Sequence, residues 1–66
     1  MTKVTAAAAV RAITRTWGAC SVGTVSNLLG AGLHETAEAI RQALAEGKLV
    51  EHPTMPHLYG LPRWYA

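Results

Sequence analysis

The chain predicts a mainly α domain, three helices followed by a small β-hairpin. Three observations carry that expectation. Leu33, Ala37, Ile40 and Leu44 recur at the i, i+4, i+7, i+11 spacing of one helix face and end at Gly47, a residue suited to a helix C-terminus. A shorter helical pattern, Val22, Val25, Leu28 and Leu29, stands directly before it and is stopped by Gly30-Ala31-Gly32. After Gly47, Lys48-Leu49-Val50 leads through a proline-containing turn to Leu58-Tyr59-Gly60-Leu61, the outline of a hairpin.

Composition bounds the function. The 66 residues are read as one domain, 1–66, with a short aromatic tail at 62–66. A chain of this size buries only about 60% of its unfolded surface, which leaves no room for a deep catalytic cleft beside a core. Half the residues are hydrophobic and 15% charged, so a packed globule is expected rather than a disordered tail. The net charge of +2 suits an acidic partner without identifying one. The single cysteine, Cys20, allows no internal disulfide and fits a reducing compartment. Arg11 and Arg15 interrupt the alanine-rich start too early for a signal peptide, and no stretch approaches the roughly 20 apolar residues of a membrane span. The expected location is cytoplasmic, with no membrane partner.

The first helix is expected from about Val4 to Thr16, favoured by four consecutive alanines, with Thr2 as N-cap and Gly18 ending it. Ala6, Val10, Ile13 and Trp17 would line its inner face. Arg11 and Arg15, four apart, form a positive stripe, read either as a solvated face or as phosphate contacts. Ala19-Cys20-Ser21 predicts a brief strand pairing with the hairpin, Ser21 capping the next helix and Cys20 buried as an inert thiol. No base and orienting group accompany Cys20, so no enzyme activity is expected.

The second helix, Val22–Leu29, carries Thr24, Ser26 and Asn27 off its apolar face, either a polar surface or a set of phosphate contacts. On the third helix a wheel with Leu33, Ala37, Ile40 and Leu44 inward puts Glu35, Glu38, Ala39, Gln42 and Glu46 outermost. His34 and Arg41 then share one flank and Thr36 lies on the other. Glu35 and Glu38 suit the positive end of the helix dipole, yet carboxylates on an outer face repel phosphate. In this register Leu44→Ala should cost about 2–5 kcal/mol.

Hairpin strands are expected near Lys48–His52 and His57–Leu61, joined by Pro53-Thr54-Met55-Pro56. His52 and His57 would stand near each other across the turn, solvent-facing, short of the three or four ligands of a stable metal site. No metal or cofactor is therefore expected. The tail Pro62-Arg63-Trp64-Tyr65-Ala66 either packs back near Trp17 or offers Trp64 and Tyr65 to a dimer or partner contact.

From Val4 to Leu61 the chain resembles a winged helix-turn-helix domain. Ser21-Val22-Gly23-Thr24-Val25-Ser26-Asn27-Leu28-Leu29-Gly30 is similar to the first helix of that motif, and Ala39-Ile40-Arg41-Gln42-Ala43-Leu44-Ala45-Glu46-Gly47-Lys48-Leu49-Val50 to a recognition helix entering the wing. Tyr59-Gly60-Leu61 is similar to the returning strand. The resemblance implies a small regulator of transcription that lays its third helix and wing on double-stranded DNA; the expectation of a homodimer rests on the aromatics after Pro62 and the small contact area of one domain. Arg11, Arg15, Thr24, His34, Thr36, Arg41, Gln42 and Lys48 are the DNA-binding candidates, with Gln42 placed to read adenine. The alternative is a protein-interaction module using the same surface or the Trp64-Tyr65 tail. The Thr54–Tyr59 segment is also similar to the wing of Z-DNA-binding domains, whose recognition-helix Asn and Tyr are replaced by Ala37 and Arg41, so that activity is not carried over. Small winged-helix proteins of ferrous-iron transport are similar in size, but the cysteine cluster of their wing is missing here.

Overall fold

A computed structural model describes residues 4–65. In chain order it contains α1 (Ala6–Thr16), α2 (Val22–Leu29), α3 (Leu33–Ala45), β1 (Val50–Glu51), β2 (Tyr59–Gly60) and a closing 3₁₀ turn at Pro62–Trp64. The three helices pack on one another, and the two strands form an antiparallel hairpin against α1. This is the mainly helical arrangement with a small hairpin that the sequence predicts.

α1 starts later than expected. Thr5 is its N-cap, accepting the Ala8 N–H at Oγ1 (3.1 Å), while the anticipated cap Thr2 lies outside the described residues. The buried face is Ala6, Ala9, Ala12 and Ile13 rather than the line through Val10 and Trp17. Small side chains let helix backbones approach closely, so the alanine stripe goes inward and Val10 sits at its edge. Trp17 itself leaves the helix. It takes the left-handed conformation (φ 59°), donates its N–H to the Thr14 carbonyl, and is 83% exposed. Trp17 therefore makes the C-cap that Gly18 was expected to supply. A left-handed non-glycine residue costs about 1–2 kcal/mol, and so exposed a ring returns little of it. Trp17→Gly should accordingly raise stability by roughly 1 kcal/mol in a urea melt; a loss would mean that the indole supports the fold.

The short link to α2 behaves as predicted. Cys20 and Tyr59 exchange two backbone hydrogen bonds, Cys20 N–H to the Tyr59 carbonyl (2.9 Å) and Tyr59 N–H to the Cys20 carbonyl (2.8 Å). The Cys20 thiol is buried, 3.1 Å from Thr16 Oγ1. Ser21 Oγ accepts the Thr24 N–H (3.2 Å), and Gly30 closes α2 with φ 63°. Ser26, one of the three polar residues expected outside, is instead buried, because its hydroxyl donates to the Ala31 carbonyl and so fixes the turn into α3.

α3 is rotated from the predicted register. Its buried residues are Thr36, Ala39, Ile40 and Ala43; Leu44 is half-buried, and Leu33 is 61% exposed. A local hydrogen bond and the packing of α3 on its neighbours account for it. The Thr36 N–H and hydroxyl both donate to the Gly32 carbonyl (3.0 and 2.8 Å), so a threonine enters the core with its polar groups satisfied. Ala39 and Ala43 beside it allow the close approach that a leucine-centred face would prevent. A half-buried Leu44 loses less on truncation than the full core cost expected from the sequence.

The hairpin is shorter than predicted, with Val50 paired to Gly60 and Glu51 to Tyr59, extended by the His52 N–H to the Leu58 carbonyl (2.8 Å). His52 and His57 do different jobs. Nδ1 of His52 accepts the N–H groups of Thr54 and Met55 (3.2 and 3.1 Å), so the half-buried imidazole caps the turn instead of facing solvent. His57 is exposed in a left-handed conformation (φ 68°), its N–H donating to a Glu51 carboxylate oxygen (3.2 Å). The tail folds onto the hairpin and not onto Trp17. Trp64 packs against the core, and the Tyr65 ring meets His52 edge-on at 5.1 Å.

Candidate nucleic-acid interface

α3 shows one open face. His34, Glu35, Glu38, Arg41, Gln42 and Ala45 surround a shallow depression of about 550 Å³ floored by Ala39. Ala39, expected outermost, is buried because the helix is turned so that its small side chain faces the neighbouring helices. The rest of the predicted outer face is exposed: Glu35, Glu38, Gln42 and Glu46.

Both Arg41 and Lys48 are held by carboxylates of α3 or its end. Arg41 pairs with Glu38 at 3.5 Å, and Gln42 Nε2 donates to Glu46 Oε2 (3.3 Å). The other oxygen of Glu46 meets Lys48 Nζ at 3.5 Å. Exposed pairs of this kind are worth about 0–1 kcal/mol, so Arg41 and Lys48 can exchange a carboxylate for a phosphate at little cost. Glu35, in the first turn, faces the positive end of the helix dipole.

The structure brings together some of the predicted residues and separates others. His34, Arg41 and Gln42 share the α3 face. Thr24 is exposed in the first turn of α2, its hydroxyl 3.1 Å from that of Ser21. Lys48 belongs to a neighbouring cleft of about 380 Å³ with Val10, Leu61, Pro62 and Arg63. Arg11 and Arg15 line a third cleft between α1 and α2, sharing no residue with the α3 face. Thr36 leaves the candidate set: it is 0% exposed, with its hydroxyl committed to Gly32. Trp64 and Tyr65 are half-buried within the chain, so they are no longer free anchors for a partner. Arg63 is the cation that sequence reasoning missed. Its place beside Lys48 follows from the tail folding back, which no local spacing announces.

Among the described residues, no three His, Cys, Asp or Glu side chains converge to hold a metal ion. No helix there is long and apolar enough to cross a membrane. No family model matches the chain, and no curated protein or solved structure matches it either.

Proposed function

We propose that this protein is a small winged helix-turn-helix regulator that binds double-stranded DNA without catalysing a reaction. The observation that supports this reading is the path of the chain. α2 and α3 are joined by the short Gly30–Gly32 turn, the hairpin follows at once, and the outer face of α3 is left uncovered. In that arrangement α3 enters the major groove. On this reading Gln42 contacts an adenine edge, Arg41 and His34 lie on the same α3 face, and Lys48 with Arg63 meets the phosphates at the hairpin base. Thr24 at the start of α2 supplies a further phosphate contact.

A labelled generic duplex titrated at several salt concentrations tests the proposal. Phosphate contacts lower log K linearly with log salt, by about 0.9 for each phosphate neutralised. Arg41→Ala should weaken binding to every sequence and reduce that slope by about one, while Gln42→Ala should mainly relax sequence preference. Replacing Glu35 and Glu38 with Gln should strengthen nonspecific binding at low salt. If that double change leaves affinity unaltered, α3 does not face DNA.

A second reading, a protein-interaction module, is favoured by one observation. Three of the four acidic residues, Glu35, Glu38 and Glu46, lie on α3 or at its end, a distribution better suited to a basic protein surface than to phosphate. Absence of any salt-dependent duplex binding would select it.

A further inference from the structure

We infer that the cleft between α1 and α2 is a docking site for an acidic amphipathic helix of a partner protein. The cleft is lined by Ala8, Arg11, Ala12, Arg15, Leu28 and Leu29 and has a volume of about 180 Å³. Leu28 is 54% exposed at its edge, although it belongs to the apolar pattern of α2. Sites for small molecules run to about 300–1,000 Å³, so this one takes a side chain or two, the footprint of an anchor residue on a helix.

Charge complementarity fixes the chemistry of the occupant. Arg11 and Arg15 stand one helical turn apart on the rim, and neither makes an ion pair among the described residues, whereas Arg41 and Lys48 both do. A helix laid in the cleft with Leu or Phe between two carboxylates spaced i, i+4 satisfies both the apolar floor and the two guanidinium groups. A phosphate backbone would satisfy the arginines alone and leave the exposed Leu28 side chain facing water. The inference stands apart from the DNA reading, because this cleft and the α3 face share no residue.

The test uses the full chain and a synthetic peptide of about 20 residues, above the length at which isolated helices are marginal, with a leucine stripe flanked by glutamates. Nuclear magnetic resonance shifts at Ala8, Arg11, Ala12, Arg15 and Leu28 should report binding by about 1 mM peptide. The same peptide with Gln for Glu should bind roughly tenfold more weakly, since two exposed ion pairs are lost. An Arg11→Glu, Arg15→Glu double variant should lose the acidic peptide and gain one with lysines in the same places. That reciprocal exchange keeps the result independent of any effect on folding. Leu28→Ala, at an exposed position, should weaken binding several-fold with an unchanged melt. Equal binding of the Glu and Gln peptides, no binding of either, or shifts of these residues by duplex DNA or anionic vesicles in place of the peptide would overturn the inference.

Discussion

Ile40→Ala should remove about 2–5 kcal/mol of stability, and Ile13→Ala a similar amount. Both side chains are almost fully buried, Ile13 in α1 and Ile40 in α3, at the centre of the core that also holds Val25 and Leu49. Their alanine neighbours decide the size of the effect. Ala9, Ala12, Ala39 and Ala43 are already as small as a side chain with a Cβ can be, so the surroundings have little bulk with which to refill a cavity. A domain of this length has roughly 3–10 kcal/mol in total, and either change would leave it near its unfolding threshold. A urea titration measures the loss directly. A value below about 1 kcal/mol would place that isoleucine outside the core and, for Ile40, refute the α3 register.

Gly60→Val should dislodge the C-terminal tail. Gly60 is buried in β2, and a Cβ built there would lie 2.6 Å from Tyr65 Oη, 2.9 Å from Trp64 Cε3 and 3.0 Å from Tyr65 Cε2. The tyrosine hydroxyl can swing aside, but the body of the indole cannot do so without leaving the core. Overpacking of this kind costs about 1–3 kcal/mol. In a Trp17→Phe background, where Trp64 is the remaining indole, its fluorescence should shift to longer wavelength as the ring becomes hydrated. An unshifted spectrum with wild-type stability would show that the tail does not rest on Gly60.

Local chemistry was legible in the sequence. Ser21 and Gly30 bound α2 because a hydroxyl cap and a left-handed glycine act within a few residues of themselves. The pairing of the Cys20 segment with the hairpin was also readable, since an extended tripeptide between two helices needs partners for its backbone. Of the four buried residues of α3, only Ile40 was. A wheel weighted by side-chain size turns Leu33 inward, whereas the fold buries Thr36 and two alanines, a choice made by how closely α1 and α2 can approach. Trp17 misled for a related reason: its size suggests a core residue, and its backbone conformation puts it outside. The grouping of His34, Arg41 and Gln42 on α3 followed from helical spacing alone. The placing of Arg63 by Lys48, and of Arg11 and Arg15 around Leu28, depends on packing between elements that no window of sequence contains.

The Cys20–Tyr59 pair also sets an order of events. Its two hydrogen bonds join the link after α1 to the returning strand, enclosing α2, α3 and β1 in one loop. Helices and their neighbouring contacts form from local sequence in microseconds or less, whereas closing so long a loop must first overcome its entropy. Docking of β2 on the Cys20 segment is therefore the expected late step of folding, and its release the expected early step of unfolding. The amides of Cys20 and Tyr59 then report the opening of the hairpin: their exchange with solvent deuterium should be faster than that of the amides inside α1, which wait for the helices to part.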